Sequence, residues 1–283
     1  MSFSRTFLLG GDLEINRIGF GAMRITGKDI WGMPDNPQDS IDVLRRAVAL
    51  GVNFIDTADQ YGPFTSEQLI AEALHPYPEK LIIATKGGIV RYGPWNQINY
   101  DASPQHLHEA LNGSLSRLKL KRIDLYQLHR VDPKIPAEKS FEFLQRAQED
   151  GKIRHIGLSE VSVEDIQKAQ QFFRVVSVQN RYSIDERKWE PVLQYCKEQN
   201  IAFIPWFPLG GGNMKGMEIL QKVAQKKNLD VRQVALSWLL HHSDNIILIP
   251  GTSKVKHLEE NMKIASIELT AEDMKELDRV ANP

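Results

Sequence analysis

Short β-branched runs alternate with amphipathic helical stretches along the whole chain, and the alternation repeats eight times. An apolar period that switches between two and about 3.6 in this order buries strands side by side with helices outside them. Before the first unit, a polar turn at Gly10-Gly11 joins Thr6–Leu9 to Glu14–Ile18, which predicts a small N-terminal hairpin. The predicted strand–helix units begin with Arg17–Ala22 and Pro37–Leu50, Asn53–Ala58 and Ser66–Leu74, then Leu81–Lys86 and Ser103–Leu118. Ile123–His129 with Pro136–Asp150, His155–Ser159 with Val163–Phe172, and Val175–Asn180 with Glu190–Gln199 continue the series. Ala202–Phe207 precedes two helices, Met217–Lys226 and Val231–His241; Ile246–Pro250 precedes Val255–Ile264, and Thr270–Val280 closes the chain. Eight such units with short connections are what a closed α/β barrel of the (β/α)8 TIM type requires, here with additional C-terminal helices. An open dinucleotide-binding sheet is disfavoured. Gly19-Phe20-Gly21 starts its glycine fingerprint, but Arg24 stands where the third glycine belongs. Residues 1–283 read as a single domain.

Composition narrows the function. Lys and Arg total 35 against 36 Asp and Glu, a net charge of −1 that gives nucleic acid no basic surface to bind. One cysteine, Cys196, leaves no partner for an intramolecular disulfide and no thiolate cluster for a metal. No apolar stretch approaches the roughly 20 residues that span a bilayer, and Arg5 interrupts the Met1–Leu9 segment, so no signal peptide is expected. A cytoplasmic protein with no membrane partner is the expectation. His106-Leu107-His108 spells a metal-binding pair, but lies in a helical stretch where residues two apart do not face each other. No metal site is expected.

In barrels of this kind the reactive groups gather at the C-terminal ends of the strands. The ends of strands two, three and four carry Asp56, Lys86 and His129, with Tyr61 just beyond the first. A strand-end Asp or Lys alone is commonly only an ion pair; three adjacent ends bearing an acid, an amine and an imidazole suggest shared chemistry. A Lys ammonium beside a Tyr hydroxyl favours phenolate and lowers the phenol pKa, while an Asp keeps the Lys charged. Such a Tyr can protonate a carbonyl oxygen as hydride reaches the carbon. A neutral His can hydrogen-bond the same oxygen.

Asp56-Thr57-Ala58-Asp59-Gln60-Tyr61-Gly62, Thr85-Lys86 and Leu128-His129 resemble the Asp–Tyr–Lys–His tetrad of the aldo-keto reductases. Gly157-Leu158-Ser159, Gln179 and Ile249-Pro250-Gly251-Thr252-Ser253 are similar to that family's cofactor segments, in the same order along nearly the whole chain. The resemblance implies reduction of a small-molecule carbonyl with NADPH, or NADH as the alternative, bound across the barrel mouth. It implies that Ser159 and Gln179 meet the carboxamide and that Trp206 stacks on the nicotinamide ring. Leu209, Gly210, Gly211 and Gly212 would cover the pyrophosphate; Thr252, Ser253 and Lys254 would face the 2′-phosphate, and Glu260 with Asn261 the adenine. Loops after strands seven and eight are where barrels often hold phosphate, which agrees. Two positions depart from the pattern. Glu160 replaces an Asn after Ser159, and His257 replaces an Arg that grips the 2′-phosphate, leaving Lys254 and Lys256 as point charges.

Substrate choice falls to the mouth loops. Arg24 and Trp31 after strand one, and Tyr92 and Trp95 after strand three, are the candidate pocket residues; aromatic walls suit a planar aldehyde and Arg an anionic group. The Trp206–Gly211 stretch is similar to that of family members assigned to pyridoxal-type aldehydes, which names pyridoxal as a candidate. A rival reading is a non-catalytic nicotinamide redox sensor docking on a partner protein, as the family's potassium-channel β subunits do. A third makes Lys86 a Schiff-base lysine of an aldolase, which leaves Tyr61, His129 and Gln179 without roles.

Overall fold

The structure, a computed structural model, describes residues 4–210 and 215–281. Its frame is a curled parallel sheet built from β3 (Phe20–Gly21), β4 (Phe54–Asp56), β5 (Ile82–Gly87), β8 (Ile123–Leu128), β9 (Ile153–Ser159), β10 (Val175–Gln179) and β11 (Ala202–Phe203), paired in that order. The eighth barrel strand runs through residues 246–248 as single bridges, Phe203 to Ile246 and Leu248 to Ile18. Backbone bonds from Ile247 N–H to Phe203 and from Leu248 N–H to Arg17 close the ring between β11 and the first strand. Closure removes the sheet edges.

Helices α1 (Pro37–Ala49), α2 (Thr65–Leu74), α3 (Pro104–Arg117), α4 (Ala137–Glu149), α5 (Val163–Ala169), α6 (Glu190–Glu198), α7 (Met217–Lys227), α8 (Val231–His242), α9 (Val255–Met262) and α10 (Ala271–Leu277) surround the strands. The expected Ser103-Pro104 start of α3 is built as an N-cap: the Ser103 hydroxyl accepts from the His106 N–H. His106 and His108 lie on this helix.

Two differences from the sequence reading matter for the site. The first strand is short. A Cβ on Gly21 would sit 2.5 Å from the Ile249 carbonyl oxygen, so glycine lets this strand approach the eighth, and Ala22–Ile25 then coils into a 3-10 turn. The segment after β5, read as loop, contains an antiparallel hairpin of β6 (Ile89–Arg91) and β7 (Ile98–Tyr100) that stands at the barrel mouth. The N-terminal hairpin, β1 (Thr6–Leu9) with β2 (Leu13–Asn16), is present as expected. Its Leu9, Leu13 and Ile15 pack with Phe54, Ala84, Leu125 and Ile204 in the barrel interior, stoppering the end opposite the C-terminal strand ends. The helices and the outer strand faces enclose the remaining core, including a fully buried Cys196.

Candidate active site

Parallel register sets the site in layers. Asp56 pairs with Ala84, Lys86 with Gln127, and Gln127 with Gly157, so residues distant in sequence end at similar depth. The Lys86 Nζ, fully buried, donates to Asp56 Oδ1 at 2.6 Å and to the Thr57 carbonyl at 2.7 Å. It lies 5.2 Å from the centre of the Tyr61 ring. Tyr61 and His129 meet edge to face with ring centres 6.1 Å apart. The other Asp56 oxygen accepts from Gln127 Nε2 at 3.1 Å and from Gln179 Nε2 at 3.0 Å. A buried carboxylate met by an ammonium and two amides is fully supplied with donors.

Gln127 was missed by the sequence reading, although a signal was present. Along β8 the residues Leu125, Gln127 and His129 share one face by strand alternation, and a polar residue among apolar inward positions requires a partner. Gly157 makes the space: a Cβ there would be 2.1 Å from the Ser177 hydroxyl and 2.9 Å from Gln127 Cγ.

The electrostatics correct one expectation. Burial pushes the Tyr61 phenol above its ordinary value of 10.0; Lys86 opposes the shift and Asp56 adds to it. The ammonium therefore limits the rise without producing a phenolate. Burial works against the charge on Lys86, but Asp56 and Tyr61 outweigh it and hold the amine above its usual value. Burial, then Lys86, Arg130 and Arg91, press the His129 imidazole well below 6.5. The three groups are thus a protonated phenol, an ammonium and a neutral imidazole, a set that can pass a proton to an oxygen and stabilise charge on it.

A cleft of about 840 Å³ opens over these groups. Asp56, Tyr61, His129, Ser159, Gln179, Trp206, Leu209 and Asn261 line it, as do Arg24 and Trp95 of the expected substrate wall. Trp31 and Tyr92 do not. Ile89 and Arg91 of β6 face the cleft, so alternation turns Tyr92 outward; Ile30, at the end of the Lys28–Ile30 3-10 turn, faces in beside an exposed Trp31. Thr252 and Ser253 line a smaller neighbouring cleft together with Arg24 and Lys28. Lys254 is the exposed N-cap of α9, its backbone N–H bonded to the Thr252 hydroxyl at 3.1 Å. Glu260, on α9, accepts from Gln233 Nε2 through its backbone carbonyl. Gly210 takes a left-handed φ of 53°, while Gly211 and Gly212 lie outside the described residues. Arg130, also unforeseen, donates to the Ser159 hydroxyl at 2.9 Å and to the His129 carbonyl at 2.6 Å. Among the described residues no group of His, Cys, Asp or Glu is arranged to hold a metal.

The sequence model of the Aldo/keto reductase family matches residues 17–282. The chain belongs to this family. An uncharacterized oxidoreductase of Schizosaccharomyces pombe is 50% identical over 269 residues, covering 95% of this chain and 87% of the relative. Pyridoxine 4-dehydrogenase of Escherichia coli is 40% identical over 284 residues, covering 98% and 99%. Among solved structures, an aldo/keto reductase of Klebsiella pneumoniae in complex with NADP and acetate superposes with a TM-score of 0.81 at 25% identity, covering 99% and 96%. The (β/α)8 barrel is thus the family's fold, and this aldo-keto reductase is an oxidoreductase.

Proposed function

We propose that the protein reduces an aldehyde or ketone to the alcohol with NADPH, and that Tyr61, Lys86, Asp56 and His129 carry the reaction. The observation that carries this reading is the buried Lys86 ammonium between Asp56 and Tyr61, with Tyr61 and His129 lining one cleft. The cleft suits a dinucleotide, since it runs from Tyr61 past Trp206 and Leu209 to Asn261 on α9. When bound, the reduced nicotinamide supplies the hydride. Tyr61 gives its proton to the carbonyl oxygen and is left as phenolate beside Lys86, which neutralises it. Asp56 holds Lys86 charged and in place. The neutral imidazole of His129 hydrogen-bonds the same oxygen and orients the carbonyl. An amine held in the ammonium form by Asp56 cannot attack a carbonyl, which argues against the Schiff-base aldolase.

Ser159 and Gln179 would face the carboxamide, although Gln179 also holds Asp56. Trp206 would cover one nicotinamide face, Leu209 to Gly212 the pyrophosphate, and Glu260 and Asn261 the adenine. Thr252, Ser253 and Lys254 would meet the 2′-phosphate at the start of α9. The substrate class that fits best is a pyridoxal-type aldehyde, supported by the 40% identity to a pyridoxine 4-dehydrogenase and by the aromatic wall of Trp95. A reducing cytosol suits the single buried cysteine, and among the described residues no helix is long and apolar enough to cross a membrane.

The test is fluorescence titration with NADPH and NADH, followed by a panel of aldehydes including pyridoxal and benzaldehyde. Saturable NADPH binding with pyridoxal-dependent oxidation is the expected result. Binding without consumption across the panel would return the sensor reading, and no binding of either nucleotide would overturn the proposal.

A further inference from the structure

Glu160 stands where the family pattern has Asn, next to a residue assigned to the carboxamide. Its carboxylate is engaged elsewhere. The Trp206 indole N–H donates to Glu160 Oε1 at 2.7 Å, and the Arg181 backbone N–H donates to the same oxygen at 2.5 Å. Glu160 itself adopts a left-handed φ of 55°, with its N–H bonded to the Gln179 carbonyl at 3.1 Å. That conformation is unfavourable for a residue with a Cβ, and it coincides with the carboxylate reaching across to the seventh strand end. The Trp206 backbone is pinned independently, its N–H bonded to the Asn180 carbonyl and its carbonyl accepting from the Tyr182 N–H. What the backbone leaves free is rotation of the ring about its two side-chain torsions. A charged acceptor at the indole N–H removes that freedom. The guanidinium groups of Arg130 and Arg181, 5.9 and 5.8 Å from the ring centre, pack against the same side chain.

We propose that Glu160 is a positioning residue that fixes the Trp206 ring plane for the nicotinamide, in place of a direct carboxamide contact. The inference rests on the dinucleotide reading above. It deepens that reading by assigning the departure from the family pattern a role.

The test measures binding of NADP+ and of its 3-acetylpyridine analogue, which lacks the carboxamide NH2 donors, by quenching of protein fluorescence. The variants are Glu160→Ala, Glu160→Gln, Trp206→Phe and the Glu160→Ala/Trp206→Phe double variant. Losing the charged hydrogen bond in Glu160→Ala is expected to weaken both nucleotides by about 5–20-fold. Glu160→Gln, whose amide oxygen still accepts from the indole, stays within about 3-fold of wild type. In the Trp206→Phe background the Glu160→Ala change costs nothing further. Independently of any nucleotide, the indole N–H resonance of Trp206, assigned by its loss in Trp206→Phe, moves upfield in Glu160→Ala and stays near its position in Glu160→Gln. A Glu160→Ala loss that disappears with the acetylpyridine analogue makes Glu160 a carboxamide ligand and overturns the proposal. So does an undiminished loss in the Trp206→Phe background, or an unmoved indole resonance. Failure of wild type to bind either nucleotide defeats the dinucleotide reading itself, whereas wild-type binding with unaffected variants defeats only this inference.

Discussion

In the proposed reaction Tyr61 is suited to act as an acid because its surroundings resist ionisation while providing for its consequence. Burial keeps the phenol protonated, and the ammonium of Lys86, itself held by Asp56, is ready for the phenolate. Removing the hydroxyl in Tyr61→Phe should lower kcat by about 10²–10⁴-fold, the usual worth of a positioned general acid, with NADPH affinity within about twofold because the ring remains. Single-turnover kinetics beside a binding titration checks both halves; turnover near wild type would remove Tyr61 from the role. His129 makes a prediction about stability. Its imidazole is neutral in the fold, with a pKa well below 6.5. Above about pH 6.5 folded and unfolded chains are both neutral there and His129 adds no pH dependence. Below it the unfolded chain binds a proton that the folded chain refuses, so stability falls with acidification until the folded pKa is reached. Between pH 7 and pH 5 the wild type should lose about 1–2 kcal/mol more than His129→Gln. Urea unfolding at the two pH values measures it, and equal losses would mean that His129 titrates normally.

At the scale of elements, the Arg91 side chain ties the β6–β7 hairpin to the rest of the mouth. Arg91 donates through Nε to the Gln60 carbonyl at 3.1 Å and to its side-chain oxygen at 2.6 Å, and through Nη1 to the Trp95 carbonyl at 2.5 Å. It therefore joins the hairpin to the loop that carries Tyr61. Arg91→Ala should raise the aldehyde KM by about tenfold, since buried charged hydrogen bonds of this kind are each worth a factor of that order. The kcat should change less than KM, because Tyr61 and Lys86 keep their places; a selective fall in kcat would contradict this division. In the proposed cofactor mode the N-terminus of α9 is the corresponding element for the nucleotide. Without an Arg at His257, Lys254 is the cation at its cap, and Lys254→Ala should weaken NADPH by about 5–10-fold and leave NADH unchanged. Parallel titrations decide it, and an equal loss for both nucleotides would move Lys254 away from the 2′-phosphate.

Across the whole molecule, the proposed chemistry and the stabilising hairpin occupy opposite ends of the barrel. The β1–β2 hairpin closes the N-terminal end, with Leu9 and Ile15 fully buried against interior strand residues. Ile15→Ala should cost about 2–5 kcal/mol of stability, as large-to-small changes in well-packed cores do. The kcat of the folded fraction should be unaffected, and denaturant melts read beside initial rates separate the two. At the other end, the strand termini hold Asp56 and Lys86, two buried charges that satisfy each other across neighbouring strands.

The eight alternating units, the N-terminal hairpin, and the strand-end positions of Asp56, Lys86 and His129 were legible in the chain. They follow from periods of two and 3.6 and from turn residues acting within a few positions. What could not be read locally was decided by contacts between distant segments. Gln179 reaches Asp56 across 123 positions, and Glu160 reaches Trp206 across 46. The Tyr61 pKa moved opposite to expectation because a neighbouring Lys can be inferred from strand order, whereas the depth of burial belongs to the assembled barrel. Tyr92 and Trp31 were read as pocket walls because composition does not tell which face of a mouth segment turns inward; the β6–β7 hairpin decides it for Tyr92 and the Lys28–Ile30 turn for Trp31. Periodicity is a property of neighbouring residues, and so the sequence determined the architecture and the strand-end acid, amine and imidazole. Solvent exclusion and hydrogen-bond partnership require surfaces from several elements at once, so only the tertiary structure decided their protonation states and orientation.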